Sequence, residues 1–256
     1  MATIDDVAPV AAARKALPRV PISGVFLAVL ALVVLYPLWE IAKISFLDPA
    51  EVNAAASRFW PPTFRAYVEA WTGVSLPRYF FNSVVVTLAV TAGNTLTAVL
   101  AAYAFSRFEF RGRDVVFLGV IGTLMIPNHI TLIPNYLTFA RFELLDTFVC
   151  LILPFLASGF SIFFLRQHML TIPRSLDEAA RMDGAGMMMI LRTIIVPLSW
   201  PAIAVVALFA FMGQWNEFIW PLLATTSEDM RTVQIGLRYL LRDEEGAFPD
   251  WPLIMA

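Results

Sequence analysis

Apolar residues gather in five runs long enough to cross a bilayer, at about residues 22–44, 79–105, 115–139, 147–166 and 194–223. Each reaches roughly 20 residues or more, the length a helix needs to traverse about 30 Å of hydrocarbon. A sixth run opens at Trp251 and stops at Ala256, too short to span. The pattern predicts an all-α membrane protein, a polytopic helical bundle with five full spans and the start of a sixth. Between the first two runs, Phe64, Tyr67, Val68 and Trp71 recur at the spacing of one helix face. Thr63 is placed to cap that helix and Gly73 to stop it. It either lies on the membrane interface, aromatic face down, or offers a docking surface to an external partner. Pro127 and Pro134 interrupt the third run, Pro154 the fourth, and Pro197, Pro201 and Pro221 the fifth. Proline removes a backbone donor, so these spans are expected to kink.

Composition agrees with the runs. Of 256 residues, 59% are hydrophobic and 15% charged, against about a quarter charged in a soluble domain. Net charge is −2, which gives no basic footprint for nucleic acid. The single Cys150 permits no disulfide within the chain, and two histidines form no metal-spacing cluster. Arg14, Lys15 and Arg19 precede the first run, which is longer than a signal-peptide core, so an uncleaved first span is expected. With Arg107, Arg111 and Arg113 between the second and third runs, and Arg166, Arg174, Arg181 and Arg192 between the fourth and fifth, these charges place the N-terminus in the cytoplasm. The expected organisation is a cytoplasmic tail at 1–21 and a transmembrane domain at 22–256. That domain holds an outer loop at 47–78 and a cytoplasmic loop at 167–193, and is cut within its sixth span.

The most informative stretch is SLDEAARMDGAGMMMILRTIIVPLSWP at 175–201. Ser175 and Glu178 have the spacing of a capping box. A helix over about 176–183 is expected, ended by Gly184, which takes a left-handed conformation at low cost. A second helix restarts near Gly186 and enters the membrane through Pro197. Leu176, Ala179, Ala180 and Asp183 share one side, a thin face that fits a groove on another protein. Asp177 and Arg181 offer charged contacts at its edges. Glu178 either caps its own helix or contacts that partner.

EAARMDGA at 178–185, followed by IIVPLSWP, resembles the EAA loop of binding-protein-dependent ABC importers. With Arg181 and Asp183 it is similar to the carbohydrate-uptake class, to the smaller permease subunit of maltose and glycerol-3-phosphate importers. MIPNHITLIPNY at 125–136, LPF at 153–155, LRQHMLTIPRSL at 165–176 and QWNEFIWPL at 214–222 follow in the family's order. The resemblance implies the bundle of a type I importer permease in the bacterial inner membrane, without catalytic residues of its own. It implies a coupling helix seated in a cleft of a cytoplasmic ATPase, with Glu178, Ala179, Ala180, Arg181, Asp183 and Gly184 as the contact. It also implies a second permease subunit, two ATPase subunits carrying ATP and Mg, and an extracytoplasmic solute-binding protein. The chain has no GxxxxGK[ST] loop, so nucleotide falls to another polypeptide.

Candidate pathway residues are Gln214, Trp215, Asn216 and Glu217 in the fifth run and Asn128 and Asn135 in the third, with His129 beside them. A carboxylate at a span's centre costs about 2.5–3.5 kcal/mol on insertion scales, so Glu217 faces protein or water. Aromatic rings beside amides suit a sugar; the same residues also suit a polar clasp between helices. Asn82 and Asn94 add polar surface in the second run. No Lys or Arg occupies the centre of a span, which favours a neutral oligosaccharide over an anionic glycerol-phosphate-type solute unless a partner supplies the charge. An ion-coupled carrier would rest on Glu217 alone. A membrane-embedded enzyme would need histidines beside Asp229, Asp243, Glu244 and Glu245, and the sequence has none there.

Overall fold

The computed structural model describes residues 22–48, 52, 62–72, 75–240 and 250–255. Among these every regular element is helical. The sequence expectations for Arg14, Lys15, Arg19, Gly73, Asp243, Glu244 and Glu245 lie outside the described residues. In chain order the helices are α1 (Ile22–Ser45), α2 (Arg65–Thr72), α3 (Leu76–Arg107), α4 (Arg113–Thr123) and α5 (Leu132–Arg141). There follow α6 (Phe148–Ile152), α7 (Gly159–Thr171), α8 (Arg174–Met182), α9 (Met187–Ile190), α10 (Val196–Trp215), α11 (Ile219–Ala224), α12 (Val233–Leu240) and α13 (Trp251–Met255).

The axis of the bundle is α3, with α10 and α7 packed along it. Its 32 residues run to about 48 Å at 1.5 Å each, longer than the hydrocarbon layer. The face it turns inward mixes small and polar residues with valines and aromatics: Ala98, Ala102, Asn82, Ser83, Thr87 and Asn94 are buried alongside Val86, Val90, Tyr79 and Tyr103. The face it turns outward carries Phe80, Phe81, Leu88, Leu96 and Leu100. Lipid is as apolar as leucine, so helices in a membrane associate through close backbone approach and hydrogen bonds rather than by hiding leucines.

The expected polar surface at Asn82 and Asn94 is therefore a pair of interior clasps. Asn82 Nδ2 donates to the carbonyls of Asp229 (2.7 Å) and Arg231 (2.9 Å). Ser83 Oγ beside it accepts from the Val233 amide at 2.9 Å. Asn94 Nδ2 donates to the Phe155 carbonyl, and its Oδ1 accepts from Ser161 Oγ at 2.8 Å. These bonds fix α3 to α7 and to the segment leading into α12.

Hydropathy runs and helices do not coincide everywhere. Three helical stretches are long and apolar enough to cross a membrane on their own: 23–45, 76–107 and 187–215. A further apolar pair, 148–155 with 159–171, is bent by 42° after the Leu153-Pro154-Phe155 turn and is long enough to cross if the two halves act as one span. The third apolar run is divided into α4 and α5. Pro127 sits extended between them at φ −59°, ψ 132°, and a 3-10 turn over Asn128–Thr131 restarts the chain. Proline biases its predecessor away from the helical region and lacks the amide that would continue the ladder. The fifth run begins earlier than its hydropathy suggests, at Met187, and passes through a π-helical segment, Leu191–Ile195. It ends at Trp215, and the rest folds separately as α11.

Two apolar cores result. One surrounds Ala98, Ala102, Leu165, Met169, Ile190, Ile195 and Val206 at the end of the bundle where α3 terminates. The other joins Val86, Val90, Phe139, Cys150, Leu151 and Trp220 at the opposite end, where Trp220 Nε1 donates to the Cys150 carbonyl at 2.9 Å. α1 is exposed along nearly its whole length and packs chiefly against α13. The helix expected after Thr63 is present as α2. Its buried face is Ala66 and Ala70, whereas Phe64, Val68 and Trp71 are exposed. Thr63 Oγ1 makes no cap bond.

In the loop between α5 and α6, outside the spans, Asp146 has a left-handed φ of 60°. Its carboxylate accepts from the amides of Thr226 (3.1 Å) and Ser227 (3.2 Å). Burial pushes this carboxyl up, but hydrogen bonds from Ser227 and Thr226 outweigh it and hold the pKa below the ordinary 3.8. A lowered folded pKa gives stability that is full above the unfolded value and lost as pH falls through the folded one. Thermal stability is therefore expected to fall below about pH 4, and Asp146→Asn, which tolerates the same φ, to flatten that fall in a pH series of melting temperatures. Where α7 opens beside α4, a Cβ on Gly159 would lie 2.9 Å from the Val120 carbonyl oxygen and 2.6 Å from Thr123 Oγ1. Backbone cannot yield as a side chain can. Gly159→Val is expected to lower stability by about 1–3 kcal/mol, read as a reduced melting temperature of the purified subunit.

Candidate functional site

At the end of the bundle where α3 stops, the chain makes an elbow: α8, a left-handed turn, and α9 leading back into the membrane. α8 begins at Arg174, with Pro173 as its N-cap at ψ 134° and no side-chain cap bond. The capping box expected of Ser175 and Glu178 is thus not formed. Ser175 already lies inside the first turn, two residues past the cap position. The far end follows expectation closely. Gly184 has φ +84°. Its amide donates to the Arg181 carbonyl at 3.0 Å, and the Ala185 amide reaches back to Ala180 at 2.9 Å. This double bond pattern is the Schellman termination, and it needs a residue that accepts positive φ.

The outer face of the elbow is free. Glu178, Ala179, Arg181, Asp183 and Gly184 are exposed, with Leu176 and Met182 among them. Ala180 is half-buried and packs inward against the core together with Ala185, so it does not share the exposed face with Ala179. Met187, Met188 and Met189 extend the exposed surface beyond the turn. The exposed side chains here include the small Ala179 and flexible methionines, which adapt to varied surfaces.

The inner face is anchored, and here sequence reasoning missed the decisive residues. Asp177 does not edge a docking face; it is 6% exposed. Its Oδ2 lies 3.1 Å from Nε of Arg107, in ionic contact though off the hydrogen-bond axis. Arg107 belongs to the last turn of α3 and also donates from Nη2 to the Ile172 carbonyl at 3.1 Å. Neither segment alone signals the pair, because Arg107 reads as one of several loop arginines and Asp177 as one charge among many in an amphipathic helix.

The candidate pathway residues are held by separate local contacts. Gln214 is buried at the end of α10. Trp215 stacks on Phe211 at 5.9 Å and 8°, and meets Phe80 edge-on at 5.8 Å. Asn216 is exposed and donates to the Met212 carbonyl at 2.7 Å. Glu217 is half-buried, and its Oε1 accepts from the Trp220 amide at 3.1 Å, one of the open amides in the first turn of α11, whose N-cap is Phe218. Asn135 is half-buried on α5 and His129 is exposed. Asn128 opens the 3-10 turn, its side chain outside those described.

Bundle and elbow together define a helical membrane subunit with an exposed elbow at one end. Residues 93–255 match the family of the binding-protein-dependent transport system inner membrane component, and the chain belongs to that family. It is 34% identical over 233 residues to the sn-glycerol-3-phosphate transport system permease protein of Rhizobium meliloti, covering 88% of this chain and 82% of that one. The Escherichia coli O1:K1 protein of the same name is 33% identical, with the same coverage. Among solved structures, a bacterial ABC transporter involved in import of the acidic polysaccharide alginate matches with TM-score 0.80 and 26% identity, over 92% of this chain and 88% of that one. The chain is a multi-pass inner-membrane permease subunit of an ABC importer, a translocation component whose ATPase is a separate subunit.

Glu217 tests whether the fifth run's acid is an amide acceptor or a proton site. Glu217→Gln keeps an acceptor for the Trp220 amide and is expected to melt like wild type, whereas Glu217→Ala should cost about 1 kcal/mol, the usual loss of a side-chain bond to a first-turn amide. Transport in reconstituted vesicles should follow the same order. A Gln variant as inactive as the Ala variant would instead mark a titrating acid.

Proposed function

We propose that this chain is the permease half of an importer for a carbohydrate or related solute, worked by alternating access through the elbow at residues 175–186. The observation that carries the reading is that one face of the elbow is exposed while the other is bonded to the bundle. A partner that moves such a handle moves the spans with it, by rigid-body rocking. Glu178, Ala179, Arg181, Asp183 and Gly184 make the contact, and Ala180 supports it from within. The handle and the N-terminus lie in the cytoplasm, in keeping with the arginines gathered there. The complete machine adds a second permease subunit, two ATPase subunits that hold ATP and Mg, and an extracytoplasmic solute-binding protein. Residues 22–256 act as its transmembrane domain, with 1–21 as a cytoplasmic tail. Gln214, Trp215, Asn216, Glu217, Asn128 and Asn135 are candidate wall residues of the pathway.

Two solute classes compete. The absence of cationic side chains from the span centres supports a neutral sugar. The names of the relatives support a glycerol-phosphate-type solute, with the charge then met by the partner permease.

Gly184 supplies the test. A Cβ there would meet nothing within 4 Å, so substitution acts through the backbone alone. Proline locks φ near −65° and cannot adopt +84°. Gly184→Pro is expected to abolish solute-stimulated ATP hydrolysis in the reconstituted transporter. Gly184→Ala, which bears a left-handed penalty of about 1–2 kcal/mol, should retain part of it. Full coupling in the proline variant would contradict the reading.

A further inference from the structure

Both arms of the elbow are bonded to the same short stretch of α3. The entering arm is held by Arg107. Its Nη2 donates to the Ile172 carbonyl just before α8, and its Nε lies 3.1 Å from Asp177 Oδ2 within α8. The returning arm is held one turn earlier on α3, where Tyr103 Oη donates to the Met187 carbonyl at 3.1 Å. Arg107 and Asp177 expose 2% and 8% of their side chains. The pairs Lys43–Glu40, Arg65–Glu69, Arg113–Asp114, Arg174–Glu109 and Arg231–Glu228 each leave at least one partner more than a quarter exposed. The outer pair Arg174–Glu109, at 3.3 Å, joins the start of α8 to the residues just past the end of α3 but lies in solvent, where a screened contact contributes little. Around the buried pair, Ala180, Ala185 and Ile190 pack against the core that also contains Ala102 and Tyr103.

A handle fastened at one arm would swing on its own turn when pushed. A handle fastened at both arms to one helix cannot swing without breaking a buried ionic contact. We propose that Arg107 and Asp177 are positioning residues for transport: they clamp the coupling elbow to the end of α3, so that a force applied to α8 is delivered to α3, and through it to α7 and α10, rather than absorbed in the loop. The proposal rests on the reading of α8 as the contact with the ATPase.

The test uses the complete transporter reconstituted with its ATPase and binding protein, and reads solute transported per ATP hydrolysed. The readout separates coupling from folding, because misfolded complexes lower both numerator and denominator. Arg107→Gln and Asp177→Asn are each expected to lower that ratio about tenfold. The double variant Arg107→Gln/Asp177→Asn is expected to be no worse than either single, because the two residues act as one contact. Arg107→Met/Asp177→Leu replaces the pair by apolar groups, a change that buried pairs tolerate without loss of fold; it should assemble normally and remain uncoupled. A ratio unchanged in the single variants, losses that multiply in the double variant, or wild-type coupling in the Met/Leu variant would each overturn the proposal. So would failure of all these variants to assemble, which would make the pair a folding element. If wild type itself shows no solute-stimulated hydrolysis, the reading of the elbow as the ATPase contact falls instead.

Discussion

A guanidinium and a carboxylate withdrawn from water at the end of α3 set where the elbow of this permease subunit can sit. Either charge left alone there would be costly, about 3–5 kcal/mol in comparable buried sites. The pair therefore imposes one register of α8 on α3. From that register the rest follows: Ala180 and Ala185 turn inward, Glu178 and Ala179 turn out, and Gly184 completes the bend. That division leaves the outer face of the elbow exposed while the inner one is held to the bundle.

The bundle obeys a second constraint, that of lipid as solvent. Its interior is not its most hydrophobic part. α3 buries asparagine, serine and alanine among its valines and tyrosines, and exposes Phe80, Phe81, Leu88, Leu96 and Leu100. Two asparagines satisfy backbone carbonyls at the breaks where regular helices stop, at Phe155 and at Asp229–Arg231. Unsatisfied backbone groups are expensive in a membrane, so polar side chains are placed where the chain must bend. Proline and glycine break the spans, and asparagine repairs the breaks.

This explains how much of the molecule was legible in its sequence. Length and hydropathy disclose α1, α3 and the α9–α10 stretch, because nothing interrupts their apolar character. They do not disclose that the third run is two short helices, since Pro127 changes the backbone and not the hydropathy. The elbow was legible at its C-terminal end, where Gly184 has a single physical use. Its start was misread. Ser175 and Glu178 have a capping spacing, but Pro173 already sets the helix start. Asn82 and Asn94 looked like pathway surface because a one-dimensional pattern cannot tell a wet polar residue from a clasped one. The Arg107–Asp177 clamp was invisible for a related reason: it joins segments far apart in the chain, each charged end unremarkable by itself.

The most direct measurement of the account is a distance between spin labels at Ser175, exposed at the start of α8, and Leu88, exposed on the lipid-facing side of α3. It would be recorded in the active, reconstituted transporter, both free of nucleotide and trapped with ATP. If the clamp makes elbow and α3 one body, the two distance distributions coincide. A distribution that shifts with nucleotide would mean that the elbow moves independently of α3, and would contradict the account.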